Sequence, residues 1–197
     1  MSSVSGLRHR RFSLQEYYRI ERDAEEKSDW CDGEIYNLSG GTTNHSRIKS
    51  NLMRELGLLL KGKPCEPLDS DQRLRIPGTE LCTYPDAAVY CDPIEYDPED
   101  DHRHTATNPT AIFEVLSDST ESYDRGIKAE RYHLLPSLRA HILISQHSPR
   151  VEIFERQEDC SWLFRDVRGL ESSIRVSSIG VTLSFAELYE RVEFVGK

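Results

Sequence analysis

Ala111-Ile112-Phe113-Glu114-Val115-Leu116 is a strand-like apolar run with an acid in its middle. An ionised carboxylate away from water needs a partner, so buried strands seldom carry one. A second acid with the same property stands upstream, Asp86 in Tyr84-Pro85-Asp86-Ala87-Ala88-Val89-Tyr90. Alternation along a strand puts Asp86, Ala88 and Tyr90 on one face, and Ile112, Glu114 and Leu116 on one face. If the two strands are neighbours, the carboxylates converge on one hard divalent cation. The ordinary alternatives are a turn acid after Pro85 and a buried salt bridge from Glu114 to Lys128.

Outward from this pair the chain reads as alternating helix and strand. Ser13 with Glu16 three residues on is a capping box, opening a helix from Leu14 to Arg22. Asp32-Gly33 inside Trp30-Cys31-Asp32-Gly33-Glu34-Ile35-Tyr36 is a hairpin turn signal. From Asn44 to Lys61, Ile48, Leu52, Leu56 and Leu59 recur at helical spacing, and Gly62 and Pro64 stop the pattern. Strands are expected at Leu74 and Ile76, from Cys82 to Cys91, and from Ala111 to Leu116. Ser119 or Thr120 caps a helix ending near Leu135, and Ala140 to Ser145 is a further buried strand. Val151 to Phe154 and Trp162 to Phe164 suggest an antiparallel extension, and Ser184 starts a closing helix carrying Leu188 and Val192. A helix between strands implies a crossover and a mixed α/β sheet.

The chain has 197 residues and a formal charge of −9. This fits one domain, residues 12–195, behind a disordered tail, residues 1–11. No apolar run reaches membrane-spanning length and the first residues lack a signal-peptide core, so a soluble cytoplasmic protein without membrane contact is expected. The odd count of five cysteines argues against a full disulfide framework, and Cys82 and Cys91 read as core thiols. Net acidity lowers the expectation of tight, non-specific nucleic-acid binding but leaves room for a local basic groove. The acids from Asp92 to Asp101 read as a solvated loop, with a second cation site or a repulsive gate as the functional alternative.

The order of elements and several short stretches resemble the PD-(D/E)XK nuclease superfamily, and more narrowly its Uma-two family of restriction-type endonucleases, formerly a domain of unknown function. The stretches are Asp32-Gly33-Glu34-Ile35, Asn44-His45 opening the long helix, Tyr84-Pro85-Asp86, Phe113-Glu114-Val115-Leu116-Ser117, Asp124-Arg125-Gly126-Ile127-Lys128 and Pro136-Ser137-Leu138. The resemblance implies a restriction-endonuclease-like α-β-β-β-α-β core with a mixed sheet, here with an added N-terminal hairpin and C-terminal antiparallel strands. It also implies a divalent metal, Mg²⁺ or Mn²⁺, a nucleic-acid substrate, expected to be DNA, and a homodimer.

On that resemblance Asp86 and Glu114 are the metal ligands. The superfamily's simplest pattern has lysine two residues after the acid, where this chain has Leu116. The resemblance supplies the cation instead as Lys128, which shares a helix face with Asp124 and Tyr132. Glu34 is expected as an auxiliary acid, against a solvated hairpin acid. His45 reads as a capping or packing residue rather than a base, and His102 and His104 as part of a mobile loop rather than ligands. Neutralising Asp86 or Glu114 is expected to leave the metal-free protein as stable as before or more so, because close carboxylates repel. The rival reading from another class is a catalytically inactive nucleic-acid-binding or interaction module on the same fold.

Overall fold

Capping, turn chemistry and apolar periodicity set the first third of the chain. The computed structural model describes residues 10–194; residues 1–9 of the expected tail and residue 195 lie outside the described residues. In α1 (Leu14–Asp23) the Ser13 hydroxyl accepts from the Glu16 amide and the Glu16 carboxylate takes the Ser13 amide in return. The hairpin of β1 (Ser28–Cys31) and β2 (Glu34–Asn37) turns at Asp32 and Gly33, with φ of 51° and 78°. A tight hairpin matching strand twist requires both residues in the left-handed region. Next, α2 (Thr43–Leu59) is capped by the Thr42 hydroxyl and buries Ile48, Leu52 and Leu56.

The middle of the chain supplies β3 (Glu66–Asp69), β4 (Arg73–Ile76), β5 (Leu81–Thr83), β6 (Ala87–Tyr90), β7 (Thr105–Ala106) and β8 (Ala111–Leu116). A helical crossover follows: one α-turn, α3 (Glu121–Tyr123), a π-helical segment (Asp124–Lys128), and α4 (Ala129–Tyr132). It leads into β9 (Ala140–Ser145), parallel to β8, then β10 (Arg150–Arg156) and β11 (Trp162–Arg168), both antiparallel. The small hairpin of β12 (Ser173–Val176) and β13 (Val181–Ser184) precedes a short α5 (Phe185–Leu188).

The main sheet runs β11-β10-β9-β8-β6-β3, and a second sheet runs β2-β1-β5-β4-β7. Phe113, Val115, Val89, Ile142 and Ile153 of the main sheet meet Ile48, Leu52 and Leu56 of α2 and the apolar side chains of β12, β13 and α5. On the opposite face Ile112 packs with Tyr132, Leu135 and Leu138, and with Leu74, Ile76 and Leu81 of the second sheet. The mixed α/β architecture and the helix between parallel β8 and β9 agree with the expected restriction-endonuclease-like class.

Five expectations need correction. The strand read from Cys82 to Cys91 is two strands in different sheets, β5 and β6, because the chain changes sheet at Tyr84-Pro85-Asp86. The strand at Leu74 and Ile76 belongs to the second sheet, and β3 joins β6 in the main sheet instead. Pro67 hid that strand; proline is tolerated there because β3 is an edge. The same pairing brings Cys65, just before β3, opposite Cys91, just after β6, and the two form a disulfide, so Cys91 is not a free core thiol. Cys82 is buried and free, as read. The acidic loop is only half solvated: Asp97 and Asp100 are buried, with Asp100 3.1 Å from Arg73 and Asp97 3.7 Å from Arg75. The closing helix is a single turn, with Leu188 buried and Val192 packed beyond its end.

Candidate functional site

Two neighbouring strands place the two acids. β6 and β8 are antiparallel with Ala87 opposite Phe113, which brings Asp86 opposite Glu114 just beyond the end of β6. The Val115 amide donates to Asp86 Oδ2 at 2.7 Å, and the Asp86 amide donates to Glu114 Oε2 at 3.3 Å. The two strands are therefore neighbours, as the alternation argument required, and each acid accepts from a backbone amide at or beside the other. Both acids line a half-open cleft of about 770 Å³ between α2, the loop before it and the π-helical segment.

Each carboxyl group has its own partners. From α2, His45 Nε2 lies 3.4 Å from Asp86 Oδ2 and Lys49 Nζ lies 3.0 Å from Asp86 Oδ1. His45 and Lys49 are one helical turn apart, so they share a face. Gly41 makes room for the His45 ring: a Cβ there would stand 2.6 Å from His45 Nδ1. From the crossover helix, Lys128 Nζ lies 3.0 Å from Glu114 Oε1 and 3.2 Å from Asp124 Oδ1, and the Tyr132 hydroxyl donates to Glu114 Oε1 at 2.7 Å. Asp124, Lys128 and Tyr132 share the inward face as read from the sequence. The π-helical turn that carries the first two was not foreseen; such wide turns recur at functional sites.

The two acids differ in electrostatic situation. Burial opposes ionisation of Asp86, but His45, Lys49 and the Val115 amide outweigh it and hold the carboxyl down to about 2. Burial pushes the Glu114 carboxyl up to about 8 against the attraction of Lys128, and the Asp124 and Asp86 charges add to the rise. Burial also works against the Lys128 charge, yet Glu114, Asp29 and Asp124 hold the ammonium well above its ordinary value. The expectation that neutralising either acid leaves the metal-free fold unharmed therefore does not extend to Asp86, whose charge is supported by its surroundings.

Asp29 on β1 was missed. It is 1% exposed, takes the Tyr84 amide at 3.3 Å, and burial raises its carboxyl. The sequence signal was an acid within a short strand, but Ser28 beside it left no apolar run to make the acid conspicuous. Lys49 was also missed, although its spacing from His45 on a clear helix was readable. Gln146, after β9, lines the cleft and is bound by the Thr42 hydroxyl. Glu34 is not brought to the pair: it lies on β2, accepts from the Tyr36 hydroxyl at 2.7 Å, and does not line the cleft. His102 and His104 likewise lie away from the cleft.

Four carboxyl groups, Asp29, Asp86, Glu114 and Asp124, thus stand around two ammonium groups, Lys49 and Lys128. Among the described residues no three His, Cys, Asp or Glu side chains form a complete metal cage. Mg²⁺ does not need one, since it commonly takes one or two carboxylates and keeps several waters. Glu114 Oε2, whose recorded contact among the described residues is the long one to the Asp86 amide, has a lone pair to offer. The donor chemistry at Asp86 and Glu114 therefore fits such an ion.

A mixed sheet with a parallel crossover and paired acids at adjacent strand ends defines a nuclease-type fold of the restriction-endonuclease class. Residues 14–186 match the model of the Uma2 family, described as "Putative restriction endonuclease", and the chain belongs to that family. An uncharacterized protein of Synechocystis sp., slr1290, is 33% identical over 186 residues, covering 93% of this chain and 94% of that protein. A second from the same organism, sll1609, is 35% identical over 162 residues, covering 82% and 90%. A crystal structure from Anabaena variabilis, described as "a putative nuclease belonging to DUF820", superposes with a TM-score of 0.71 at 17% identity, covering 90% of this chain and 97% of that one. At that identity the likeness is one of fold. No helix among the described residues is long and apolar enough to cross a membrane.

Proposed function

We propose that the chain is a metal-dependent endonuclease that hydrolyses phosphodiester bonds in DNA, with Asp86 and Glu114 holding Mg²⁺ or Mn²⁺. The observation that carries this reading is the pair of carboxyl groups, Asp86 and Glu114, held on adjoining strands beside an open cleft, with an ammonium group next to each. Such an ion, when bound, lowers the pKa of coordinated water and polarises the phosphoryl oxygen.

The chain's own groups have separable roles. Asp86, ionised with the support of His45, Lys49 and the Val115 amide, is a permanent oxygen ligand. Glu114, buried and raised, would be the second oxygen ligand, and a bound cation would favour its ionised form. Lys128 is held between Glu114 and Asp124, and an ammonium there can orient the attacking water or meet developing negative charge. It takes the part that Leu116 cannot. Lys49, more exposed than Lys128, faces the cleft and can meet a phosphate oxygen of the strand.

One observation favours the inactive binding module instead: both acids already have lysine partners, as in a purely structural ion-pair network. Nicking of supercoiled plasmid with Mg²⁺ or Mn²⁺, against an EDTA control, separates the two. The nuclease reading expects cation-dependent nicking by the wild type that Glu114→Gln abolishes. DNA binding with no nicking under either ion would favour the module.

A further inference from the structure

A second cavity, of about 220 Å³, shares Tyr84 with the cleft. Its wall holds a buried cation. Arg73 on β4 is 6% exposed, and its guanidinium sits 4.9 Å from the Tyr18 ring centroid. Arg73 Nε donates to Thr105 Oγ1 at 2.7 Å and Nη2 to Asp100 Oδ2 at 3.1 Å. Its Nη1 has no hydrogen-bond partner among the described residues. Arg22, His102 and His104 line the same cavity, are exposed, and present a guanidinium and two rings that also lack hydrogen-bond partners among the described residues. The two rings stand 5.8 Å apart.

Three acids line the cavity as well, and the oxygens of the two buried ones, Glu21 and Asp100, are committed. Glu21 accepts from the Ser28 amide and hydroxyl and from the Tyr84 hydroxyl. Asp100 accepts from Arg73, from the Thr105 hydroxyl and from the His102 and His104 amides. Asp71 takes Lys27 Nζ at 2.5 Å. Asp71 keeps its second oxygen turned to solvent on the rim, and the unfilled groups on the Arg73 side of the cavity are donors, which is the chemistry of an anion site. A guanidinium edge suits phosphate oxygens because its N–H groups form a planar fork.

The cavity's position supplies the ligand. Lys27 lines the cleft, pairs with Asp71 of the cavity, and stands 5.5 Å over the Tyr84 ring, so Lys27 and Tyr84 adjoin both the cleft of Asp86 and the cavity of Arg73. In a chain of net charge −9, a polyanion must be held by local contacts rather than a general field.

We propose that this cavity is a phosphate-binding subsite, built on Arg73, Arg22, His102 and His104, that takes a phosphate of the nucleic-acid strand leaving the cleft. It rests on the nuclease reading for the identity of the strand, and its test involves no cleavage. The full chain, in EDTA, is titrated calorimetrically with inorganic phosphate, with a 5′-phosphorylated dinucleotide, and with the unphosphorylated dinucleotide. The wild type is expected to bind both phosphorylated probes and not the third. Arg22→Gln with His102→Gln, both exposed, should weaken binding by about tenfold, the loss of roughly one charge-assisted contact, and Arg73→Gln should abolish it. If Arg73→Gln does not fold by circular dichroism, the exposed double variant decides alone. A dinucleotide affinity well above that of inorganic phosphate assigns the site to a strand; equal affinities overturn that assignment in favour of free phosphate. Absence of binding, or unchanged affinity in the double variant, overturns the site itself. Plasmid nicking that persists in that case would leave the nuclease reading standing.

Discussion

Asp86→Asn and Glu114→Gln should shift the stability of the metal-free protein in opposite directions, although both remove one negative charge from the same pair. Asp86 is held at about 2 against an ordinary 3.8, and at about 1.4 kcal/mol per unit its charge contributes about 2 kcal/mol at pH 7. Asn forfeits this. Glu114 is raised from 4.5 to about 8, so at pH 7 the folded state keeps a proton that the unfolded chain releases. Over the window from 4.5 to 7 that costs about 3 kcal/mol, which Gln removes while its carbonyl still accepts from Tyr132. Lys128 keeps Asp124 at 3.2 Å in either case.

The pH dependence has a definite sign. Asp86 has a depressed value, so its contribution is complete above 3.8 and is lost as pH falls through about 2. Glu114 has a raised value, so the folded state loses stability as pH rises from 4.5 to about 8 and is level beyond. Urea denaturation in EDTA at several pH values reads both effects. At pH 7 Asp86→Asn should unfold at lower urea than the wild type and Glu114→Gln at higher urea, and Glu114→Gln should flatten the decline between pH 4.5 and 8. Shifts in the same direction for the two variants would refute the assignment of one supported and one unsupported charge.

Two further outcomes follow from the same geometry. Lys128→Ala should reduce cation-dependent nicking by at least about a hundredfold while sparing Mn²⁺ binding, because the lysine touches Glu114 without being a ligand; retained nicking rates would remove Lys128 from the mechanism. Gly41→Ala should push the His45 ring away from Asp86 and raise the Asp86 pKa, read by NMR titration of the carboxyl carbon; an unchanged value would mean that the His45 contact does not support the Asp86 charge.

The pair at the heart of the site was legible because burial and charge conflict openly in Phe113-Glu114-Val115 and, less strongly, in Pro85-Asp86-Ala87. Long elements with one clear period, such as α2 around Ile48, Leu52 and Leu56, were equally readable. The assignment of strands to sheets was not. Leu74 and Ile76 look like any buried strand, and nothing local says that they leave the main sheet while Pro67, on its edge, stays in it. The Cys65–Cys91 bond was hidden for the same reason, since it depends on which strand neighbours β6. Asp97 and Asp100 read as solvated because their partners, Arg75 and Arg73, are more than twenty residues away on another strand. Asp29 reaches the site only through the packing of β1, a long-range relation that local pattern does not encode, whereas Lys49 was readable one turn beyond His45 on α2. The π-helical turn at Asp124–Lys128 left the inward face of Lys128 and Tyr132 intact, which is why a simple helical count found them.

Crystals of the wild type soaked in Mn²⁺ and measured at an anomalous wavelength test the metal site most directly. The expected result is one strong anomalous peak within coordination distance, about 2.0–2.3 Å, of carboxylate oxygens of both Asp86 and Glu114, with Lys128 displaced from Glu114 by no more than the ion requires. The same soak of Glu114→Gln should show no peak there. A wild-type peak on the Asp97 and Asp100 loop with none in the cleft, or an undiminished peak in Glu114→Gln, would contradict the assignment.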